Sequence, residues 1–365
     1  MDTNLHEAFI QLVRLGIGKS KDAKTLENDI NWSELKTLAE IHGLYAVVLD
    51  GIGKLPQTLR PSQVLLLEWI GEVLQEYEYR YEQYENTISE LSSFYNAHGF
   101  KMMVVKGYAC SLDWPKPSHR PCGDIDMWLF GRQIEADIVL AKEKRIEIDK
   151  SHHHHTVFNW NGFTVENHYD FINVYHHKSH SKLEKLFKEL GQDDSHFVEL
   201  KNVSAGSETM VYLPSPNLHA LFLLKHTMLH FVSGEINLRQ LVDWGFFVEK
   251  HTNEIDWKWL EGELDEFGMM PLYQLFNAIC VDDLGFSPQL FPSVQFNPGL
   301  KDKVLAEVLM PDQVHNGNKG LIIRLVSTFR RWKDSAWKHE LCYKESMWSA
   351  FWYGILGHLL KPSSI

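Results

Sequence analysis

Gly123-Asp124-Ile125-Asp126-Met127-Trp128-Leu129 decides how the rest of this chain is read. Two carboxylates separated by one apolar residue lead into an apolar run, the pattern of a buried β-strand. Side chains alternate along a strand, so Asp124 and Asp126 share one face while Ile125 and Met127 pack behind them. Two aspartates on one face repel each other unless a cation lies between them, and Mg²⁺ favours hard oxygen ligands of this kind. Gly123 permits a tight turn just ahead of the strand. Alone, a D-x-D is weakly specific, since edge strands and loops carry the same pattern.

The flanking sequence sharpens it. Upstream, the apolar run Phe100 to Val105 ends abruptly in Lys106-Gly107, and Tyr108 to Trp114 follows as a short segment. This is the pattern of strand, tight turn and helix start. Backbone N–H groups at such a turn, with a lysine beside them, can hold phosphate. A proline-rich loop, Pro115 to Pro121, carries Arg120 up to the aspartate strand. Downstream, Asn161-Gly162 marks a hairpin turn between strands Thr156–Trp160 and Phe163–Tyr169. Period-2 alternation sets Glu166, His168 and Asp170 on one face.

Val105-Lys106-Gly107 followed by Arg120-x-x-Gly123-Asp124-Ile125-Asp126 resembles the polymerase-beta-type nucleotidyltransferase superfamily. Within it, the chain is most similar to a branch of largely uncharacterised bacterial nucleotidyltransferase-like proteins. That branch has a Lys-Gly turn without the serine usual in the superfamily. It also has an acid-x-His strand followed by an aromatic, matched by Glu166-Asn167-His168-Tyr169. Its His-x-x-x-His helix followed by Leu-Arg-Gln-Leu-x-Asp is matched by His226, His230 and Leu238 to Asp243. The resemblance covers roughly residues 98–250.

The resemblance implies an α+β fold, with a small mixed β-sheet nucleotidyltransferase core flanked by N-terminal and C-terminal helical regions. It implies transfer of a nucleoside monophosphate from a nucleoside triphosphate to a hydroxyl, using Mg²⁺ (or Mn²⁺) as a pair of ions about 3.5–4 Å apart. Asp124 and Asp126 are then the catalytic metal ligands, completed by a third carboxylate. Glu166 is preferred for that place because it fits the acid-x-His match, and Asp170 is its rival. Lys106, Gly107, Arg120, Gly123 and Arg239 are the expected nucleotide contacts, with Lys106 replacing the missing serine. The same missing serine leaves open a catalytically silent nucleotide-binding or regulatory protein of this fold.

Composition narrows the partners. The formal charge is −12 and no dense Lys/Arg cluster stands out, which argues against a long nucleic acid. Arg330 to Lys338, basic residues among tryptophans, is the nearest approach to one. A small-molecule, sugar or protein acceptor suits the chain better. Cys110, Cys122, Cys280 and Cys342 form no C-x-x-C pair and suit a reducing compartment. The first residues lack a basic region followed by an apolar stretch, and no run of about 18 apolar residues exists, so a cytoplasmic protein without a membrane span is expected.

Several other features invite chemistry. His219, His226 and His230 share a helix face and raise a zinc metallohydrolase as a third reading. Thr227 stands where a zinc protease needs glutamate. Arg239 and Asp243, four apart, can simply pair along a helix. His152 to His155 precede a strand and read as alternately exposed, not as a functional site. Leu15 to Ser20 imitates a P-loop tail, but Val13 occupies a required glycine position.

Along the chain, residues 1–97 read as helical, 98–214 as the mixed catalytic core and 215–365 as helical again. Helices are expected over 5–15, 32–49 (capped by Asn31), 62–97, 133–144, 183–190, 217–231, 237–251, 257–267, 271–284, 321–337 and 344–360. Residues 285–299 read as looser. Strands are expected near 101–105, 124–130, 154–160, 163–171 and 208–213. In 62–97, Leu67, Ile70, Leu74, Tyr77, Tyr81, Tyr84, Ile88, Leu91 and Tyr95 form a heptad seam. Four tyrosines in it favour packing within the chain, and a homodimer through this helix is the alternative.

Overall fold

The computed structural model describes residues 3–21, 26, 30–175, 177–202, 206–292, 296–310, 336–350 and 352–353. They group into two compact units, one of residues 1–59 with 221–349, the other built on residues 60–220.

The first unit is helical and opens with α1 (Thr3–Gly16), α2 (Trp32–Ile41) and α3 (Tyr45–Gly53). Glycines let α1 and α3 approach closely. A Cβ on Gly16 would lie 2.1 Å from the Val47 carbonyl oxygen, and one on Gly51 would lie 2.2 Å from that of Leu12. Asn31 caps α2 as expected, accepting from the Glu34 backbone N–H at 3.3 Å. The single helix expected over 32–49 is instead two, because Gly43 turns the chain at φ +62°.

The second unit begins with α4 (Gln63–Val73) and α5 (Arg80–Ala97), joined by six π-helical residues, Leu74–Tyr79. The element expected over 62–97 is therefore continuous but not uniformly wound. The seam changes character across that stretch. Leu67, Ile70 and Leu74 are exposed, whereas Tyr81, Tyr84, Ile88, Leu91 and Tyr95 are buried in the unit's core.

Six strands form one sheet: β1 (Met103–Val104), β2 (Ile125–Trp128), β3 (His155–Trp160), β4 (Phe163–His168), β5 (Phe197–Asn202) and β6 (Ser207–Tyr212), in the order β3-β4-β2-β1-β6-β5. The β2–β4 and β1–β6 pairs are parallel and the others antiparallel. Around the strands come α6 (Gly107–Ser111), α7 (Gln133–Lys144) and α8 (His180–Leu190). One face of the sheet is apolar. Ile125, Met127 and Val165 pack there with Tyr84 and Leu91 of α5 and Leu140 of α7. Each large side chain buried this way contributes on the order of 1.5–3 kcal/mol, which fixes the register of β2 and turns its aspartates to the opposite face. This mixed sheet among helices is the expected α+β class. Strand β5 was not anticipated, and β4 ends at His168, three residues short of the expected strand end.

From there α9 (Pro216–Ser233) leads into α10 (Leu238–His251), α11 (Trp257–Phe267) and α12 (Met270–Asp282). After them come α13 (Pro298–Leu309), which the sequence reading lacks, and α14 (Ala336–Cys342). The helices expected over 321–337 and 344–360, and most of the basic Arg330 to Lys338 stretch, fall largely outside the described residues. No helix among the described residues is long and apolar enough to cross a membrane.

Candidate active site

The parallel pairing of β2 with β4 puts Asp126 directly opposite Glu166 and Trp128 opposite His168. The antiparallel pairing of β3 with β4 puts His155 opposite His168. Since neighbours in register share a face, Asp124, Asp126, Glu166, His168 and His155 all rise on the side away from the apolar core.

Lys106 reaches this face by breaking the alternation of β1. Val105 is the residue bonded to Asp126, its N–H donating to the Asp126 carbonyl at 3.0 Å. An extended Lys106 would therefore point to the opposite side. Its backbone instead takes φ 50°, ψ −113°, a conformation that costs a side-chain-bearing residue on the order of 1–3 kcal/mol. In return its Nζ donates to Asp126 Oδ1 at 2.6 Å. His168 Nε2 donates to the same oxygen at 3.0 Å and lies 3.4 Å from Glu166 Oε2. The other ring nitrogen of His168, Nδ1, faces the Asp170 carbonyl at 3.2 Å. With an acceptor at each nitrogen the ring is arranged as an imidazolium.

The electrostatics follow from this packing. Burial opposes the Asp126 carboxylate, but Lys106 and His168 outweigh it and hold the group well below the usual carboxylate range. Burial likewise works against the charged forms of Lys106 and His168, and their carboxylate partners raise both above their ordinary values. Glu166 is lowered: burial pushes it up, and its bond with His168 together with Lys106 more than reverses that. Asp124 behaves differently. Burial, then repulsion from Glu166 and Asp126, raises it, with Lys106 and the Thr164 hydroxyl only partly compensating. Desolvation holds His155 down at about 4 despite Glu166 at 3.8 Å, so its ring is neutral at neutral pH.

Helix α5 secures the turn from behind. Tyr84 Oη donates to the Asp124 carbonyl at 2.9 Å, Tyr108 Oη to Glu85 at 2.8 Å, and the Tyr81 and Ser111 hydroxyls bond at 2.9 Å. Gly107 leaves room for this: a Cβ there would lie 3.0 Å from Tyr84 Oη and 3.8 Å from Arg120 Nη1. Arg120 is buried against the same turn and donates to the Pro121 carbonyl at 3.4 Å. Gly123 is exposed at the entry to β2.

Of the residues singled out in the sequence, Lys106, Gly107, Arg120, Gly123, Asp124, Asp126 and Glu166 thus meet around one turn and two strand ends. Asp170, the rival carboxylate, lies beyond the end of β4 and is engaged by Lys188. Arg239 belongs to α10, in the other unit. Among the described residues, two groups have ligand atoms close enough for one cation, Asp126–Glu166–His168 and His154–His155–His168. His219, His226 and His230 form no such group. The histidine run, read from sequence as alternately exposed and not as a functional site, sends His155 into the site. Its signal was available, because the Asn161-Gly162 hairpin fixes which residue faces His168. Tyr84 was legible only as one tyrosine of a seam.

No curated protein and no solved structure matches the chain. A model of the family described as uncharacterised nucleotidyltransferase matches residues 28–282, more than two thirds of it. On the Lys-Gly turn, the Asp-x-Asp strand and a match of that extent, the chain belongs to this uncharacterised nucleotidyltransferase family.

Proposed function

We propose that the chain moves a nucleoside monophosphate from a nucleoside triphosphate to a hydroxyl of a small-molecule, sugar or protein acceptor. The observation that carries this reading is the β2–β4 register, which sets Asp126 beside Glu166 with Asp124 at the strand's entry. Three carboxylates face Lys106 and His168, so negative charge is in excess, and burial followed by repulsion from Glu166 and Asp126 raises the Asp124 carboxyl. Both bonds to the Asp126 side chain fall on Oδ1, which leaves Oδ2 for a cation. The donor set therefore fits Mg²⁺ or Mn²⁺, held by Asp124, Asp126 and Glu166. When bound, such an ion offsets phosphate charge and lowers the pKa of an acceptor hydroxyl.

The chain's own groups supply the rest. Lys106, anchored on Asp126 at the mouth of the turn, can share its remaining protons with a β- or γ-phosphate oxygen. Arg120 offers a planar fork that suits a bidentate phosphate contact. Gly107 is assigned to the nucleotide through its backbone N–H, and Gly123, exposed at the entry to β2, leaves that side open. Glu166 is the group assigned to take the acceptor proton, and His168 holds Glu166 and Asp126 in place. Arg239 is assigned to Asp243, one helical turn further along α10. The net charge of −12 supports a compact acceptor over a long nucleic acid, and four free thiols fit the reducing cytoplasm. The exposed Val64, Leu67, Ile70 and Leu74 on and just after α4 support a homodimer formed there.

A second reading is a silent nucleotide sensor. Lys106 favours it, because its ammonium already neutralises the carboxylate that a catalytic ion needs. Incubation of the wild type and Asp124→Ala/Asp126→Ala with each α-labelled triphosphate, Mg²⁺ or Mn²⁺ and cell lysate separates the two. Label transfer with pyrophosphate release in the wild type alone is the expected result. Triphosphate binding without transfer selects the sensor, and no metal-dependent binding at all overturns both.

A further inference from the structure

The segment ahead of β3 is pinned in place. Asp149 and Val157 exchange backbone N–H···O bonds of 2.8 and 2.9 Å. Tyr169 Oη donates to the His152 carbonyl at 2.7 Å, and the N–H groups of Tyr169 and Asp170 both donate to the His154 carbonyl at 3.0 Å. The four histidines are therefore a shaped part of the sheet's edge, and three of their rings converge while that of His153 meets Tyr175. His152 stacks on His155 at 4.6 Å, and His154 meets His155 edge-on at 4.4 Å. His154 and His155 lie 5.6 and 5.2 Å from His168.

One ring nitrogen each from His154, His155 and His168 falls within 4.8 Å of the other two. Three imidazoles that close need only a small contraction to reach metal–nitrogen bonds of about 2.0–2.1 Å. A second observation points the same way. His155 is more than nine-tenths buried, and its Nδ1 has no hydrogen-bond partner. A buried donor or acceptor left unsatisfied is costly, and a ligand at that ring would remove the cost. Imidazole nitrogens are also poor ligands for Mg²⁺ and good ones for borderline-soft ions.

We propose that His154, His155 and His168 bind a zinc-class divalent cation at a site beside the three carboxylates and chemically distinct from them. His168 is common to both groups. Each of its nitrogens meets an acceptor, so coordination releases one ring proton to solvent as the metal–nitrogen bond forms. Filling the imidazole site thus draws on the ring that holds Asp126 and Glu166 together. The site stands on ring geometry and the unpartnered His155 Nδ1, and does not depend on nucleotidyl transfer.

The test uses the full chain without an affinity tag, dialysed against Zn²⁺ and read by elemental analysis, with Co²⁺ absorption as the spectroscopic probe. One zinc per chain and the visible bands of four-coordinate Co²⁺ are expected. His155→Ala and, at a less buried ring, His154→Ala should each weaken binding at least tenfold while retaining the wild-type circular dichroism spectrum without metal. His152→Ala/His153→Ala and Asp124→Asn should keep it. Loss in His152→Ala/His153→Ala with retention in His155→Ala would mean surface chelation by the run and overturns the site. Loss in Asp124→Asn alone would assign the ion to the carboxylates, and absence of bound zinc in the wild type would end the proposal.

Discussion

Replacing Lys106 by methionine tests the charge balance of the site without emptying its volume. Lys106 Nζ stands 2.6 Å from Asp126 Oδ1, and the two side chains are only 17% and 10% exposed. At that separation, with an effective dielectric constant near 20, the gross attraction is about 6 kcal/mol. His168 remains on the same oxygen at 3.0 Å and keeps part of the compensation. Relief of the positive-φ backbone does not follow, since methionine is as constrained as lysine there. Removing one partner of a buried pair typically costs 3–5 kcal/mol, and with His168 in place Lys106→Met should lose about 3 kcal/mol. Urea unfolding of wild type, Lys106→Met, Asp126→Asn and the double variant forms the cycle. The double variant carries no unpaired buried charge, so it should recover about 2 kcal/mol relative to the sum of the single losses. A loss below about 1 kcal/mol for Lys106→Met, or additivity of the two changes, would refute the reasoning and leave Lys106 as a solvated residue at a turn.

Glu184 is buried on α8 and accepts from the Phe171 and Ile172 N–H groups at 3.1 and 3.0 Å. Burial and the nearby Asp170 raise its carboxyl to about 7, against Lys188 and those N–H groups. The folded state therefore holds its proton while the unfolded chain ionises above about 4.5, and stability from this group falls as pH rises from there through 7, by about 3 kcal/mol. Glu184→Gln should remove that slope, so the stability difference between variant and wild type, followed by urea unfolding from pH 5 to 8, should move steadily in the variant's favour; a flat difference contradicts it. Gly51→Ala should cost about 3 kcal/mol or more in thermal or urea unfolding, since its Cβ would lie 2.2 Å from the Leu12 carbonyl oxygen and two helix backbones would have to separate. A cost under 1 kcal/mol would mean α1 and α3 are not closely packed. Leu67→Glu should convert a dimer to monomer in light scattering with unchanged circular dichroism, and a wild type already monomeric at high concentration rules out assembly through this helix.

The part of the site that sequence made legible is the part governed by period. Asp124 and Asp126 face one way because Ile125 and Met127 must be buried, and the hairpin at Asn161-Gly162 fixes His168 opposite His155 and puts Glu166 on the same face; the β2–β4 pairing then sets Glu166 opposite Asp126. Features that depend on non-local partners were not legible. Strand β5 alternates exposed positions with half-buried Val198 and buried Leu200 and Asn202 at a sheet edge, and Phe197-Val198-Glu199-Leu200-Lys201-Asn202 carries charges that blunt its strand signal. Helix α13 begins at Asn297-Pro298, a good cap and first-turn pair hidden by the glycine and proline around it. The break at Gly43 is one positive-φ residue inside a run whose apolar spacing reads straight through.

Lys106 shows the limit most sharply. Alternation along β1 assigns its side chain to the apolar face, where a charged group cannot stay unpaired. The sequence signals a turn at Lys106-Gly107, but nothing local in it requires φ to become positive one residue before the glycine. What selects that backbone is Asp126 on a strand twenty residues away, together with Tyr84 filling the space above Gly107. The strain and the ion pair are therefore one feature: the backbone energy is tolerated because it brings Lys106 to the buried Asp126 carboxylate. A serine in this turn would leave Asp126 to His168 alone. That is the physical sense in which the Lys-Gly turn and the Glu-x-His strand belong together, the lysine and the histidine both donating to a single carboxylate oxygen.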